Sequence, residues 1–274
     1  MPLLRTLLIC CALLTAFSVQ LSAQAPNIEK TKKLADNGNA EAQNLLGLIY
    51  DIGHGVPQDY AEAARWYRKA ADQGHAQAQY NLGAFYDNGT GVPKDAMEAV
   101  KWYRKAAERG LADAQNTIGV MHSRGEGLPK DDAEAVKWLR NAADQGHAEA
   151  QYNLGQLYRE SGGVPQDYTQ AASWFRKAAD QGNIGAQNNL GGMYENGWGV
   201  PKDDIEAYAW YNLAAVSNVV ARKNRDSVAR RLPSGAQLIA QQRSKQLLQE
   251  IEDQKRARLK KEDQQRREKA IKGA

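Results

Sequence analysis

From Asn39 onward, apolar and small residues return every three or four positions, the spacing of one face of an α-helix. Ala42, Leu46 and Tyr50 form the first such row, with Gly47 beside them. Gly53 and Gly55 interrupt it, and Val56-Pro57 forces an extended turn. Asp59 follows with Glu62 three residues on, the N-cap and N3 pattern of a reciprocal capping box. A second helical row runs through Ala63, Trp66, Tyr67 and Ala70, and Gly74 closes it where a left-handed C-cap is needed. Residues 39–74 therefore predict helix, turn, helix.

The same pattern returns without gaps in 75–110, 111–146, 147–182 and 183–218, a period of 36 residues. In fixed register come Gly47, Gly83, Gly119, Gly155 and Gly191, then Trp66, Trp102, Trp138, Trp174 and Trp210. The capping pair recurs as Asp95/Glu98, Asp131/Glu134 and Asp203/Glu206, with Asp167/Gln170 as an amide variant. Gly and Ala positions should let neighbouring helices approach closely while each Trp fills the space between layers.

The shared phrase A-x-A-Q-x-x-L-G-x-x-Y-x-x-G-x-G-V-P-x-D-x-x-x-A-x-x-W-Y-R-K-A-A-x-x-G covers 39–218 and resembles the Sel1-like repeat, a relative of the tetratricopeptide repeat. The resemblance implies an all-α, right-handed solenoid of five helix-turn-helix units. Departures are Ser161 for the first loop glycine of unit four, His122 for the tyrosine of unit three, and Ser217-Asn218 for the closing Gln-Gly of unit five. Residues 24–38 read as an N-terminal cap, because 34–38 looks like the tail of a half-repeat. After 218, residues 219–232 predict one more helix, and Pro233-Ser234 starts another whose apolar positions include Leu238, Ile239, Leu247, Leu248 and Ile251. Residues 219–251 are thus expected to cap the stack, since a terminal repeat needs a polar outer surface. Residues 252–274 form a charged tail.

Composition narrows the class. A mean hydropathy of −0.67 over 274 residues excludes a multi-span membrane protein, and two adjacent cysteines, Cys10 and Cys11, exclude a disulfide scaffold. Residues 1–23 read as a signal peptide: Arg5, an apolar stretch from Thr6 to Val19, then Ser22 and Ala23. Cleavage after Ala23 is preferred, because cleavage after Ala25 would leave Pro26 next to the cut. Both cysteines then depart with the signal. The expectation is a thiol-free mature protein, periplasmic or secreted from a bacterium, with no transmembrane segment after signal removal. An endoplasmic-reticulum role, as for some eukaryotic relatives, would use Asn88-Gly89-Thr90 for glycosylation, but no C-terminal retention tetrapeptide accompanies it.

The charge is divided. Residues 216–274 hold 16 Lys+Arg against 7 Asp+Glu, and the remainder carries a net charge of −5. That basic end is either a solvated helix or disordered end, or a contact for an anionic lipid, polysaccharide or acidic partner. No motif calls for nucleic acid.

Reactive chemistry is sparse. His75 and His147 share the first position of units two repeats apart, too distant to share a zinc ion, while His54 sits in a loop. No G-x-S-x-G elbow, phosphate loop or mature cysteine is present, and no serine has a lysine three residues later. That last pattern belongs to serine β-lactamases, an activity linked to some cysteine-rich secreted Sel1-like proteins. No catalytic, cofactor-binding or metal-ligating residue is assigned, and the chain reads as a non-enzyme.

What remains is a binding surface. In repeats of this kind the first helices line the concave face. Positions six and seven read Asn44-Leu45, Tyr80-Asn81, Asn116-Thr117, Tyr152-Asn153 and Asn188-Asn189. An amide both donates and accepts, so a ladder of Asn suits an extended peptide backbone, and Tyr adds amphipathic area. The alternative is that these Asn serve local helix-surface needs. Trp198, between Gly197 and Gly199, is the one tryptophan outside the repeat position, and is either a contact residue or a local plug. The leading reading is an exported scaffold that binds a protein or peptide in its groove. A second, implied by resemblance to some periplasmic relatives, is restraint of an envelope sensor kinase.

Overall fold

A computed structural model of the protein describes residues 27–272; the signal-peptide reading of 1–23, with Cys10 and Cys11, lies outside them. The described residues form thirteen α-helices and no strand. The chain divides into two compact units, 1–102 and 103–274.

The first unit contains α1 (Ile28–Asp36), α2 (Ala40–Ile52), α3 (Tyr60–Asp72), α4 (Ala76–Asn88) and the start of α5 (Ala96–Glu108). Local chemistry sets each boundary. The Asn39 side chain accepts from Ala42 N at 2.8 Å, and Gly53, at φ 70°, ends α2 in the left-handed conformation. Asp59 then caps α3 by accepting from Glu62 N at 2.9 Å. Only half of the expected capping box forms. The Asp59 backbone N–H donates instead to Tyr50 O at 3.0 Å, tying the loop to the helix before it, and Glu62 pairs with Arg65 at 3.0 Å. Asp95, Asp131, Asp167 and Asp203 donate in the same way to the carbonyls of Tyr86, His122, Tyr158 and Tyr194. The repeat loop thus satisfies the N-cap donor that a capping-box glutamate would otherwise reach.

Burial follows the helical rows. Ala63, Trp66, Tyr67 and Ala70 are buried on α3, facing Ala42, Leu46 and Gly47 of α2 and Ala78 and Leu82 of α4. A Cβ added to Gly47 would lie 2.6 Å from the Tyr67 ring, so the glycine is what lets the aromatic sit against the helix backbone.

The second unit begins within α5 and continues through α6 (Ala112–Arg124), α7 (Asp132–Asp144), α8 (Ala148–Glu160), α9 (Tyr168–Asp180), α10 (Ile184–Asn196) and α11 (Asp204–Ala214). It ends with α12 (Val219–Arg231) and α13 (Ser234–Lys272). From α6 to α12 each helix packs on the next, while α13 packs on α11. Leu139, Leu154, Trp174, Phe175, Leu190, Trp210 and Leu247 belong to one buried core. Ser161 keeps the left-handed conformation of the loop glycine it replaces, at φ 61°. Gly191 repeats the close approach: an added Cβ would meet the Tyr211 ring at 2.7 Å. Gly191→Ala is expected to lower stability by about 1–2 kcal/mol, because overpacking costs about 1–3 kcal/mol and helix propensity returns up to about 1. Denaturant unfolding reads the difference, and an unchanged midpoint would show that Tyr211 yields freely.

The last helix departs from the apolar pattern. Leu247 is buried and Ile251 half-buried, but Leu238, Ile239 and Leu248 are exposed. The inward row is Ala240, Ser244, Leu247 and Ile251. Ser244 is tolerated there because its hydroxyl donates to Ala240 O at 2.9 Å, and the two small residues let α13 lie close on α11. The helix does not stop at Ile251. Its outer length carries (i, i+4) pairs such as Glu252–Arg256 at 3.7 Å and Asp263–Arg267 at 2.8 Å, each worth about 0.2–0.5 kcal/mol. Arg258 also donates to Gln181 Oε1 at 2.7 Å. Under α13 lies a recess of about 550 Å³ bordered by Gln151, Asp180, Gln181, Ile251 and Arg258. Burial raises the Asp180 carboxyl above the usual carboxylate range, against the opposing pull of Arg176 at 2.9 Å.

Candidate interaction surface

The first helix of each repeat carries the Asn/Tyr positions, and the structure links many of them to one another. In the first unit Asn81 Nδ2 donates to Asn44 Oδ1 at 3.3 Å, joining α4 to α2. In the second, Asn153 donates to Asn116 Oδ1 at 3.0 Å, Asn189 to Gln156 Oε1 at 2.9 Å, and Asn224 of α12 to Asn188 Oδ1 at 3.2 Å. All of the ladder residues are half-buried. Each amide therefore spends part of its capacity on a strut between neighbouring first helices. The remaining donors and acceptors are held at fixed spacing instead of swinging freely.

The tyrosines are fitted in as well. Tyr80 is half-buried, and Tyr152 packs at 5.9 Å from the Phe175 ring and covers Gly185, where an added Cβ would lie 3.0 Å away. Trp198 sits elsewhere. It is 44% exposed and stacks on Tyr168, at the start of α9, with ring centroids 5.4 Å apart.

One row of buried polarity is not marked by the hydrophobic spacing of the sequence. Gln43, Gln79, Gln115, Gln151 and Gln187, the Q of the A-x-A-Q phrase, are all buried. Each Nε2 donates to a carbonyl eight residues earlier, those of Ala35, Ala71, Ala107, Ala143 and Ala179, at 3.0–3.2 Å. Three of them also accept from a glutamine thirty residues later: Gln73, Gln145 and Gln181, at 2.7–2.8 Å. The signal was a polar residue recurring between small buried ones, a position that hydrophobic spacing passes over.

The histidines have structural partners in two cases. His75 and His147 cap α4 and α8, each accepting from a backbone N–H, and pair with Glu41 at 2.8 Å and Asp113 at 3.1 Å. His122 is buried in the tyrosine place of its repeat. Tyr67 and Tyr211 donate to Asp51 at 3.3 Å and Glu195 at 2.8 Å, and burial followed by those carboxylates raises both phenols well above their ordinary range. Among the described residues, no three His, Cys, Asp or Glu side chains converge as a metal site, and no helix is long and apolar enough to cross a membrane.

Tandem helix pairs packed through close contacts at the repeat glycines, with a buried amide row between small residues, define a helical repeat protein. The Sel1 repeat model matches residues 40–75, 76–111, 112–147, 148–183 and 184–215, and the chain belongs to that family. Sel1 repeats generally act as protein-interaction scaffolds and are generally non-enzymatic. Among solved structures, the chain is 39% identical to a protective antigen of uropathogenic Escherichia coli with an SLR fold, over 81% of this chain and 49% of that one, with a TM-score of 0.73. The chain thus spans about half the length of that relative. It is 36% identical to a Sel1 repeat protein from Oxalobacter formigenes, over 78% of this chain and 90% of that one, with a TM-score of 0.71. No curated protein matches the chain.

Proposed function

We propose that the protein is an exported scaffold whose first-helix face binds an extended protein or peptide segment. The observation that supports this reading most is the amide row: half-buried Asn side chains, pinned to their neighbours, present ordered hydrogen-bonding groups at the repeat spacing. A pre-ordered row loses less entropy on binding than freely rotating side chains do. The leader-like residues 1–23 support export, and the E. coli relative, described as a protective antigen, is compatible with it. Exposed Lys and Arg along 252–268 support a secondary contact with an anionic surface.

Two measurements test the parts separately. Expression of the full chain in a bacterial host, followed by fractionation and intact mass, should find a periplasmic or secreted product beginning at Gln24; a full-length cytoplasmic product would refute export. For the groove, a partner captured from envelope extract is titrated against Asn81→Ala, Asn153→Ala and Asn189→Ala. Each should weaken binding by about 1 kcal/mol, the worth of one hydrogen bond. Parent-like affinity in the triple variant would sink the groove and shift attention to Trp198. Deleting 252–274 should reduce the salt dependence of association, because attraction by its cations is screened over about 8–10 Å.

A further inference from the structure

The side chains packed over the repeat glycine differ from repeat to repeat. In the first unit the Tyr67 ring lies on Gly47, and its hydroxyl donates to Asp51, with Asn81 of the following first helix as a second hydrogen-bond partner. Tyr211 does the same over Gly191 and Glu195. Phe175 keeps the ring over Gly155 without a hydroxyl. Two repeats on from Tyr67, Asp51 and Asn81 stand Leu139, Ser123 and Asn153. Leu139 retains the glycine contact, an added Cβ on Gly119 lying 2.7 Å from its Cγ, but it has no ring to fill the space beyond. Ser123 replaces the carboxylate with a short hydroxyl. A recess of about 230 Å³ lies there, bordered by Leu139, Ser123 and Asn153 together with Val120, Leu157 and Glu160.

We propose that this recess is a pocket for a tyrosine side chain of the bound segment, which takes the place that Tyr67 and Tyr211 fill in their own repeats. The inference rests on the groove reading and adds the residue type the groove selects. Size favours a single side chain, since small-molecule sites run to roughly 300–1,000 Å³. Leu139 and Leu157, both buried, and Val120 supply apolar walls for a ring. Ser123 and Asn153 stand in the register of the two groups that partner Tyr67. Asn153 gives one Nδ2 hydrogen to Asn116, which leaves its second Nδ2 hydrogen to donate to a phenol oxygen and its Oδ1 to accept a phenol O–H. A purely apolar side chain would cover these polar groups without pairing them, which is costly. Phenol is therefore preferred over phenyl or isobutyl.

The test uses the full chain and three probes: N-acetyl-tyrosinamide, N-acetyl-phenylalaninamide and N-acetyl-leucinamide. Methyl and side-chain amide resonances should show saturable shifts at Leu139, Leu157 and Asn153, with the tyrosine probe about fivefold tighter than the phenylalanine probe, the worth of one hydrogen bond. Leu139→Tyr refills the recess with the residue used in other repeats and should weaken the tyrosine probe by at least about tenfold. Ser123→Asp restores the carboxylate and should tighten the tyrosine probe alone by several-fold, an arm that decides the question even if Leu139→Tyr fails to fold. No saturable shift at these residues in the parent, or unchanged shifts in a folded Leu139→Tyr, would overturn the pocket; so would equal responses of both aromatic probes to Ser123→Asp. Panning an immobilised random peptide library separates the two readings. Binders that ignore Leu139→Tyr and show no tyrosine preference remove the pocket and leave the groove. Binders that need tyrosine but ignore the double variant Asn81→Ala, Asn189→Ala remove the amide row and leave the pocket.

Discussion

Trp210→Ala is expected to destabilise the chain by about 3–5 kcal/mol, the largest loss among the five repeat tryptophans. Trp210 is fully buried, in the core that also holds Trp174, Leu190 and Leu247, and the Arg176 guanidinium lies 4.9 Å over its ring. Its Nε1 has no hydrogen-bond partner among the described residues, so truncation breaks no polar bond there and the cost is lost packing plus the cavity left behind. Trp198→Ala is the matched control. Its exposed ring loses only a stack on Tyr168, worth about 0.5–1.5 kcal/mol. Thermal and denaturant unfolding followed by circular dichroism compare the two. Because α13 packs on the helix that carries Trp210, limited proteolysis of the Ala variant should also cut α13 first. Equal losses in the two variants would mean that α11 does not occupy the core position described.

Much of this architecture was legible in the chain. Gly47, Trp66 and Gly74 recur at a fixed period, and a period longer than one helix can only be satisfied by stacking like units. The cap at Asp59 follows from residue type alone. What resisted reading depends on neighbours distant in sequence. The capping pattern points Glu62 at the Asp59 N–H, but Tyr50 O comes back to that donor through the loop. Leu238 and Leu248 are more hydrophobic than Ala240 and Ser244, yet close packing on α11 selects the smaller pair. Asn81 and Asn44 stand thirty-seven residues apart, and nothing local signals that they bond. The Leu139 and Ser123 departures were visible when the repeats are aligned. Their meaning required knowing that Tyr67 and Asp51, two repeats earlier, touch one another.

The buried glutamines carry the second large effect. Gln151 bridges three helices: it donates to Ala143 O at the end of α7 at 3.0 Å and accepts from Gln181, just past α9, at 2.8 Å. Gln151→Ala takes one of the hydrogen bonds from Ala143 O, which keeps that from Gly146 N, leaves the Gln181 amide without its acceptor and opens a void, so a loss of about 2–4 kcal/mol is expected. Gln151→Met keeps most of the volume and isolates the polar share, about 1–3 kcal/mol. Gln79 provides an internal comparison, because its Nε2 is bonded to Ala71 O at 3.1 Å while its Oε1 has no partner among the described residues. Gln79→Ala should therefore cost less than Gln151→Ala, even though both residues are equally deep and occupy the same repeat position. Chemical denaturation of the three variants beside the parent gives the ordering directly. If Met and the parent unfold alike, the row fills space only. If Gln79→Ala and Gln151→Ala cost the same, the inter-repeat bond from Gln181 contributes nothing and the repeats are held by their glycine-aromatic contacts alone.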